Sequence, residues 1–126
     1  MNSITISGNL TSPPELKFLN SGTAAVRFRV AETKKGYDGR EDKTSFLTCV
    51  AYGTLAQNIA DSLDKGSRVV LTGRQEQRTW DDDKGNKHEV YEILVDECGP
   101  SLRFATCVVN KSERKTAKVA EEEYAF

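Results

Sequence analysis

Between residues 24 and 30 the chain reads AAVRFRV, and its side chains alternate: Ala24, Val26, Phe28 and Val30 are apolar, with Ala25, Arg27 and Arg29 between them. A period of two is that of an extended strand whose successive side chains point to opposite faces, one buried and one wet. SITISGNL, residues 3–10, repeats the pattern with Ile4 and Ile6 inward. TSFLTCVAY, residues 44–52, reads as a third strand and SRVVLTGRQEQRTW, residues 67–80, as a long fourth. DDDKGN then turns, with Lys84, Gly85 and Asn86 supplying hairpin chemistry, and KHEVYEILVDE returns as its partner. PPELKF is expected to be extended or a turn, because neither proline has an N–H to give to a ladder. SLRFATCVV, residues 101–109, reads as an outlying sixth strand.

One helix stands out. Thr54 is expected to cap it, Leu55, Ile59 and Leu63 share a face, and Gly66 is placed to end it. Five strands with a helix between the third and fourth is the order of the OB-fold, a small, partly open Greek-key barrel; a five-stranded sandwich fits the same pattern. The fold class is therefore all-β, with an extra C-terminal strand expected. Gly8, Gly53 and Gly73 lie within or at the ends of strands, where a barrel bends sharply.

The chain has 126 residues, enough for one core and too few for a deep cleft between two domains. Residues 1–110 form the expected domain, and residues 111–126 a short flexible tail with an acidic tip. The N-terminus lacks a charged-then-apolar leader, and no run approaches the roughly 20 apolar residues of a membrane span, so a cytoplasmic protein is expected. Cys49, Cys98 and Cys107 match no zinc spacing and read as reduced thiols, with Cys49 buried in a strand; pairing of Cys98 or Cys107 across subunits is the alternative. Eighteen Lys and Arg against nineteen Asp and Glu give a net charge of −1, which lacks the usual basic signature of a nucleic-acid binder. Location matters more than the sum, because binding follows the potential at one surface. Residues 111–118, KSERKTAK, carry four positive charges and one negative, whereas residues 121–123 carry three negative.

Strand parity picks out a working surface. Arg74, Glu76, Arg78 and Trp80 share one face of the fourth strand, so the only tryptophan is expected to be exposed among charges. On the third strand Phe46, Thr48, Val50 and Tyr52 share one face, and Leu47, Cys49 and Ala51 the more core-like other. Flat rings among arginines suit unpaired nucleotides: each base can stack on an aromatic face for about 1–3 kcal/mol while Arg and Lys meet the phosphates. Such stacking ignores base identity. The bland alternative for each of the three rings is a place in the core.

Beyond periodicity, SITISGNLTSPPELKFLNSGTAAVRFRVA resembles the opening of bacterial single-stranded DNA-binding proteins, in which a GNL-x-x-x-PE segment precedes an SG-x-A-V-x-x-F strand. YGTLAQNIADSLDKGSRVVLTGRQEQRTW is similar to their helix and long fourth strand, and GPSLRFATCVVNKS to the domain end in the actinobacterial branch. The likeness runs from residue 2 to about residue 110. It implies an OB-fold that wraps single-stranded DNA without sequence preference in replication, recombination and repair, as a homotetramer and without catalysis or cofactor. Position by position, it puts Phe46 and Tyr52 at stacking aromatics, Trp80 at the aromatic near the hairpin tip, and Tyr37 near a loop aromatic. Arg27, Arg29, Lys34, Lys35, Arg74, Arg78, Lys84 and Lys87 are the expected phosphate contacts, Arg74 and Arg78 foremost. It also implies that residues 102–109 clamp neighbouring subunits. The family's acidic tip, which docks replication and repair proteins, has its counterpart in Glu121, Glu122, Glu123 and Phe126. Here Ala125 stands in place of the family's proline and the linker is very short, which shortens the tether's reach and suggests a paralogous or phage-encoded version.

Other chemistry has less support. Asp81, Asp82 and Asp83 diverge as consecutive residues and read as a polar turn rather than a metal site. His88 stands alone, without the partners of a zinc site or a nucleophilic triad. Two other function classes stay open: an OB-fold interaction subunit with its aromatic face in a subunit contact, and a small hydrolase on the same barrel.

Overall fold

The structure, a computed structural model, describes residues 2–111. The elements run β1 (Ile4–Leu10), β2 (Glu15–Phe18), β3 (Ala24–Lys34), β4 (Lys43–Tyr52), α1 (Thr54–Ser62), β5 (Arg68–Asp81) and β6 (Lys87–Pro100). They form one sheet in the order β1-β5-β6-β4-β3-β2, and an additional β1–β3 pairing closes it into a barrel. Neighbours are antiparallel except β4 and β6, which pair in parallel over Thr48 to Val50 against Glu92 to Leu94. This is the OB-fold connectivity, with the helix between β4 and β5.

Closure requires β1 to change partners. Ile4 to Asn9 pair with β5, while Asn9 and Leu10 also pair with Ala31 and Val30 of β3. At Gly8, just before that crossing, a side chain would run into the Ala31 carbonyl and Val30. Gly73 sits at the bulge between β5 and β6, where a side chain would meet the Leu94 carbonyl. Both glycines permit backbone approaches that any Cβ would block.

The alternating residues fill the interior as their period requires. Ile6 and Leu10, then Val26, Phe28 and Val30, then Cys49 and Ala51, then Val69 and Leu71, then Ile93 and Val95 are all buried. Each large apolar side chain removed from water contributes about 1.5–3 kcal/mol. Helix α1 packs against β2, β3, β4 and β6 and lays Ala56 and Ile59 on this core, with Leu63 just past its end.

Several sequence expectations change. Glu15–Phe18 is a true strand, paired with Ala24 to Arg27. Pro13 and Pro14 precede it and do not interrupt the ladder. The helix cap is Gly53 at φ 74°, with no side-chain cap bond, which makes Thr54 the first helical residue; Leu63 rather than Gly66 ends it. Gly66 instead occupies the following turn at φ 87°. The extra C-terminal strand is not formed in the protomer. After Ser101 donates its N–H to the Arg68 carbonyl, residues 102–110 join no ladder, and Leu102, Phe104, Val108 and Val109 are exposed. The Phe104 ring lies 5.4 Å from the guanidinium carbons of both Arg68 and Arg103.

Among the described residues no helix is long and apolar enough to cross a membrane, and no group of three or more His, Cys, Asp or Glu could hold a metal ion. Glu121, Glu122, Glu123 and Phe126 lie outside the described residues.

Candidate nucleic-acid interface

Strand β4 separates its two faces by parity. Cys49 and Ala51 are wholly buried, whereas Phe46 and Tyr52 are 56% and 49% exposed. Their cross-strand partners on β3 explain why the rings stay open: Phe46 faces Ala31 and Tyr52 faces Ala25, side chains too small to cover them. Between these pairs Arg27 faces Val50 and Arg29 faces Thr48. The result is a wall on which rings and guanidiniums alternate. Arg29 leans diagonally to place its guanidinium carbon 5.3 Å from the centre of the Phe46 ring, within cation–π range.

The same face continues onto β6 and β5. Thr48 and Val50 neighbour Glu92 and Leu94, which in turn pair with Glu76 and Arg74. Farther along, Arg78 pairs with Val90 and Trp80 with His88. Trp80 is 47% exposed. Its ring stacks on His88, with centroids 5.3 Å apart and planes at 21°. Arg27, Arg78, Trp80, Val90 and Glu92 together line a concavity of about 300 Å³. Arg78 also makes a 3.2 Å ion pair with Glu92; the arginine side chain is largely exposed and the carboxylate largely covered.

The hairpin tip is organised by Asp82. Its Oδ1 accepts the N–H groups of Lys84 and Asn86 at 2.9 and 2.8 Å, and its Oδ2 lies 2.7 Å from Nε2 of His88. The His88 contact first, and then the backbone N–H of Asn86, hold the Asp82 carboxyl below its ordinary pKa.

The remaining expected contacts divide by location. Arg27, Arg29, Arg74 and Arg78 share the aromatic face. Tyr37 and Lys35 are exposed in the loop between β3 and β4. Lys34 ends β3 opposite Lys43 and lines a separate polar concavity of about 320 Å³ with Thr5, Ser7 and Arg68. Lys84 lies in the exposed turn, and Lys87 faces Asp81, on the opposite parity from Trp80 and His88. The face thus assembles Phe46, Tyr52, Trp80 and four arginines, and does not bring Lys34, Lys35, Lys84, Lys87 or Tyr37 onto it. Three partners escaped the sequence reading: His88, Asp82 and Glu92. The antiparallel register that pairs position 80 with 88 and places 92 beside 48 is the signal that exposes them.

The thiols stand apart. All three are free: Cys49 is buried, Cys98 half-buried and Cys107 exposed. Burial, reinforced by the charge Cys98 would carry, pushes Cys49 up to about 12, and burial pushes Cys98 to about 11.

Comparison with known proteins places this architecture. Residues 1–101 match the Single-strand binding protein family. The single-stranded DNA-binding protein of Mycobacterium leprae is 47% identical over 116 residues, covering 88% of this chain and 69% of the relative. That of Mycolicibacterium smegmatis is 46% identical over 116 residues, with 88% and 70% covered. Single-stranded DNA-binding protein 2 of Streptomyces coelicolor is 45% identical over 114 residues, 86% of this chain and 57% of the relative. An OB-fold barrel, a wall of open rings and a match across the barrel agree: this chain belongs to the single-strand binding protein family.

Proposed function

We infer that this chain binds single-stranded DNA without sequence preference and serves DNA replication, recombination and repair. The observation that carries the assignment of the face is the parity split of β4, where Phe46 and Tyr52 stand open while Cys49 and Ala51 are sealed in the core. Bases stack on Phe46, Tyr52 and Trp80; Arg27, Arg29, Arg74 and Arg78 take the intervening phosphates. Tyr37, Lys34, Lys35, Lys84 and Lys87 extend the path at its margins, as contacts from loops, the turn and strand ends to DNA leaving the wall.

Residues 1–110 act as the binding domain. It works as a homotetramer, and the exposed Leu102, Phe104, Val108 and Val109 support a subunit contact, because their segment lacks a ladder of its own. The acidic tip, Glu121 to Glu123 with Phe126, recruits replication and repair proteins to nucleoid DNA. These readings rest on the family resemblance.

Titration with oligo-dT tests the central claim. Trp80 emission is expected to be quenched, and the affinity to fall as salt rises; four to six phosphate contacts give a log–log slope of roughly −3 to −4 at about −0.7 per contact. Unquenched emission at low salt would overturn the assignment. If the aromatic face is instead buried between subunits, Tyr52→Ala with Trp80→Ala changes the oligomer mass and leaves DNA binding untouched.

A further inference from the structure

Trp80 stands near the end of β5, where the hairpin has run past the buried core: the residues from Arg74 to Asp81 are all exposed. A ring there lacks the packing that sets Phe46 and Tyr52 in place, yet it is held by a neighbour. His88 lies directly opposite in the register and its ring is nearly parallel to the indole, 5.3 Å away between centroids. Such offset stacking is favourable beyond the area it covers. The imidazole is anchored in turn, with Nε2 lying 2.7 Å from Oδ2 of Asp82. The other oxygen of that carboxylate is occupied by the N–H groups of Lys84 and Asn86. Turn, carboxylate, imidazole and indole therefore form one connected unit, and the open part of the indole borders the concavity with Arg27, Arg78, Val90 and Glu92.

We propose that His88 is a positioning residue for single-stranded DNA binding: clasped by Asp82, it holds the Trp80 indole in the orientation in which a base stacks on it. The proposal rests on the DNA-binding reading of this face. A carboxylate accepts a hydrogen bond, so Nε2 carries the proton in this contact and Nδ1 is left to take a second one. The charged groups around the pair are Asp82 in the turn, Arg78 and Asp81 on β5, Lys87 on β6, and Arg27 and Glu92, which line the concavity beside Trp80.

The test uses the full chain, whose single tryptophan reports the site directly. Fluorescence anisotropy and emission of Trp80 in the free protein read the clasp without DNA. Oligo-dT titration reads its consequence. In His88→Ala the indole is expected to become more mobile and oligo-dT affinity to fall by roughly two- to twelve-fold, the range for a lost aromatic pair. His88→Phe restores the ring, so anisotropy and affinity return towards the parent values. Asp82→Asn gives a weaker copy of the alanine variant. The proposal is overturned if His88→Ala matches the parent in anisotropy and affinity, or if His88→Phe is as impaired as His88→Ala. Failure of the parent itself to bind oligo-dT would instead count against the DNA-binding reading, while the anisotropy still decides whether His88 holds the indole.

Discussion

The barrel wall and the hairpin tip present aromatic rings by different physical means. On the wall, Phe46 and Tyr52 are fixed because the other face of β4 is locked: Cys49 and Ala51 are fully buried among Val26, Phe28, Leu71 and Ile93. Alanines opposite the rings leave them uncovered. At the tip no core lies beneath the ribbon, and Trp80 takes its orientation from a stack with His88 and a turn gathered around Asp82. A preformed wall costs little further ordering when a strand of DNA arrives, whereas a polar clasp is adjustable and responds to solvent conditions. One region supplies a fixed platform, the other a tunable one.

The largest test of that contrast removes both rings of the wall. Phe46→Ala together with Tyr52→Ala is expected to weaken oligo-dT binding by about 2–6 kcal/mol, the sum of two stacking contributions. Because both side chains point away from the core, the melting temperature should hardly move, surface substitutions usually staying within about 0.5 kcal/mol. A cooperative loss of folding in that variant would show that the rings support the barrel and would break the distinction. Trp80→Ala comes next, at about 1–3 kcal/mol for a single ring. Binding there is read by anisotropy of a labelled oligonucleotide, since the intrinsic reporter is gone.

Most of this division could be read from the chain before any coordinates. Period-two alternation placed the buried and open faces of β3, β4 and β5 because a strand's parity is a local property, settled by each residue's own neighbours. What lay beyond local reach is tertiary. The short β2 was obscured by the prolines before it, although its ladder begins only at Glu15. The stretch around Leu102 and Phe104 carries apolar residues but joins no ladder in its own protomer. His88 looked solitary because its partners, Trp80 and Asp82, are eight and six positions away and meet it only through the hairpin register. Glu92 was hidden for the same reason, since β6 meets β4 only through a parallel pairing between strands distant in the sequence.

Glu92 yields a smaller test, located where wall and ribbon meet. Its carboxylate is largely covered and engages Arg78 at 3.2 Å, on the face proposed to receive phosphates. With its arginine largely in solvent the ion pair adds little stability, so its main consequence is to compete with phosphate for that arginine. Glu92→Gln is therefore expected to tighten oligo-dT binding several-fold at low salt and to steepen the salt dependence by about 0.7 for one further phosphate contact. Weaker binding would mean that the carboxylate orients Arg78 rather than occupying it.

The smallest effect separates the two regions by acid. No polar or charged side chain among the described residues is fully buried, and apart from the partly covered Glu92 the wall contains no carboxylate whose protonation would disturb it. The tip does contain one. Asp82 has a folded-state pKa below its ordinary value, chiefly through its hydrogen bond with His88 and then through the Asn86 N–H. A depressed carboxylate contributes order that is fully present above its unfolded pKa, near 3.9, and is lost as pH falls through the lower folded value. The clasp should therefore outlast the usual aspartate range and open only below it, with the barrel still folded. Followed downward from pH 6, Trp80 anisotropy is expected to drop before the far-ultraviolet dichroism of the barrel changes, and Asp82→Asn to remove that early step. Coincident loss of the two signals would mean that tip and wall open as one cooperative unit, and Trp80 would then owe its orientation to the barrel after all.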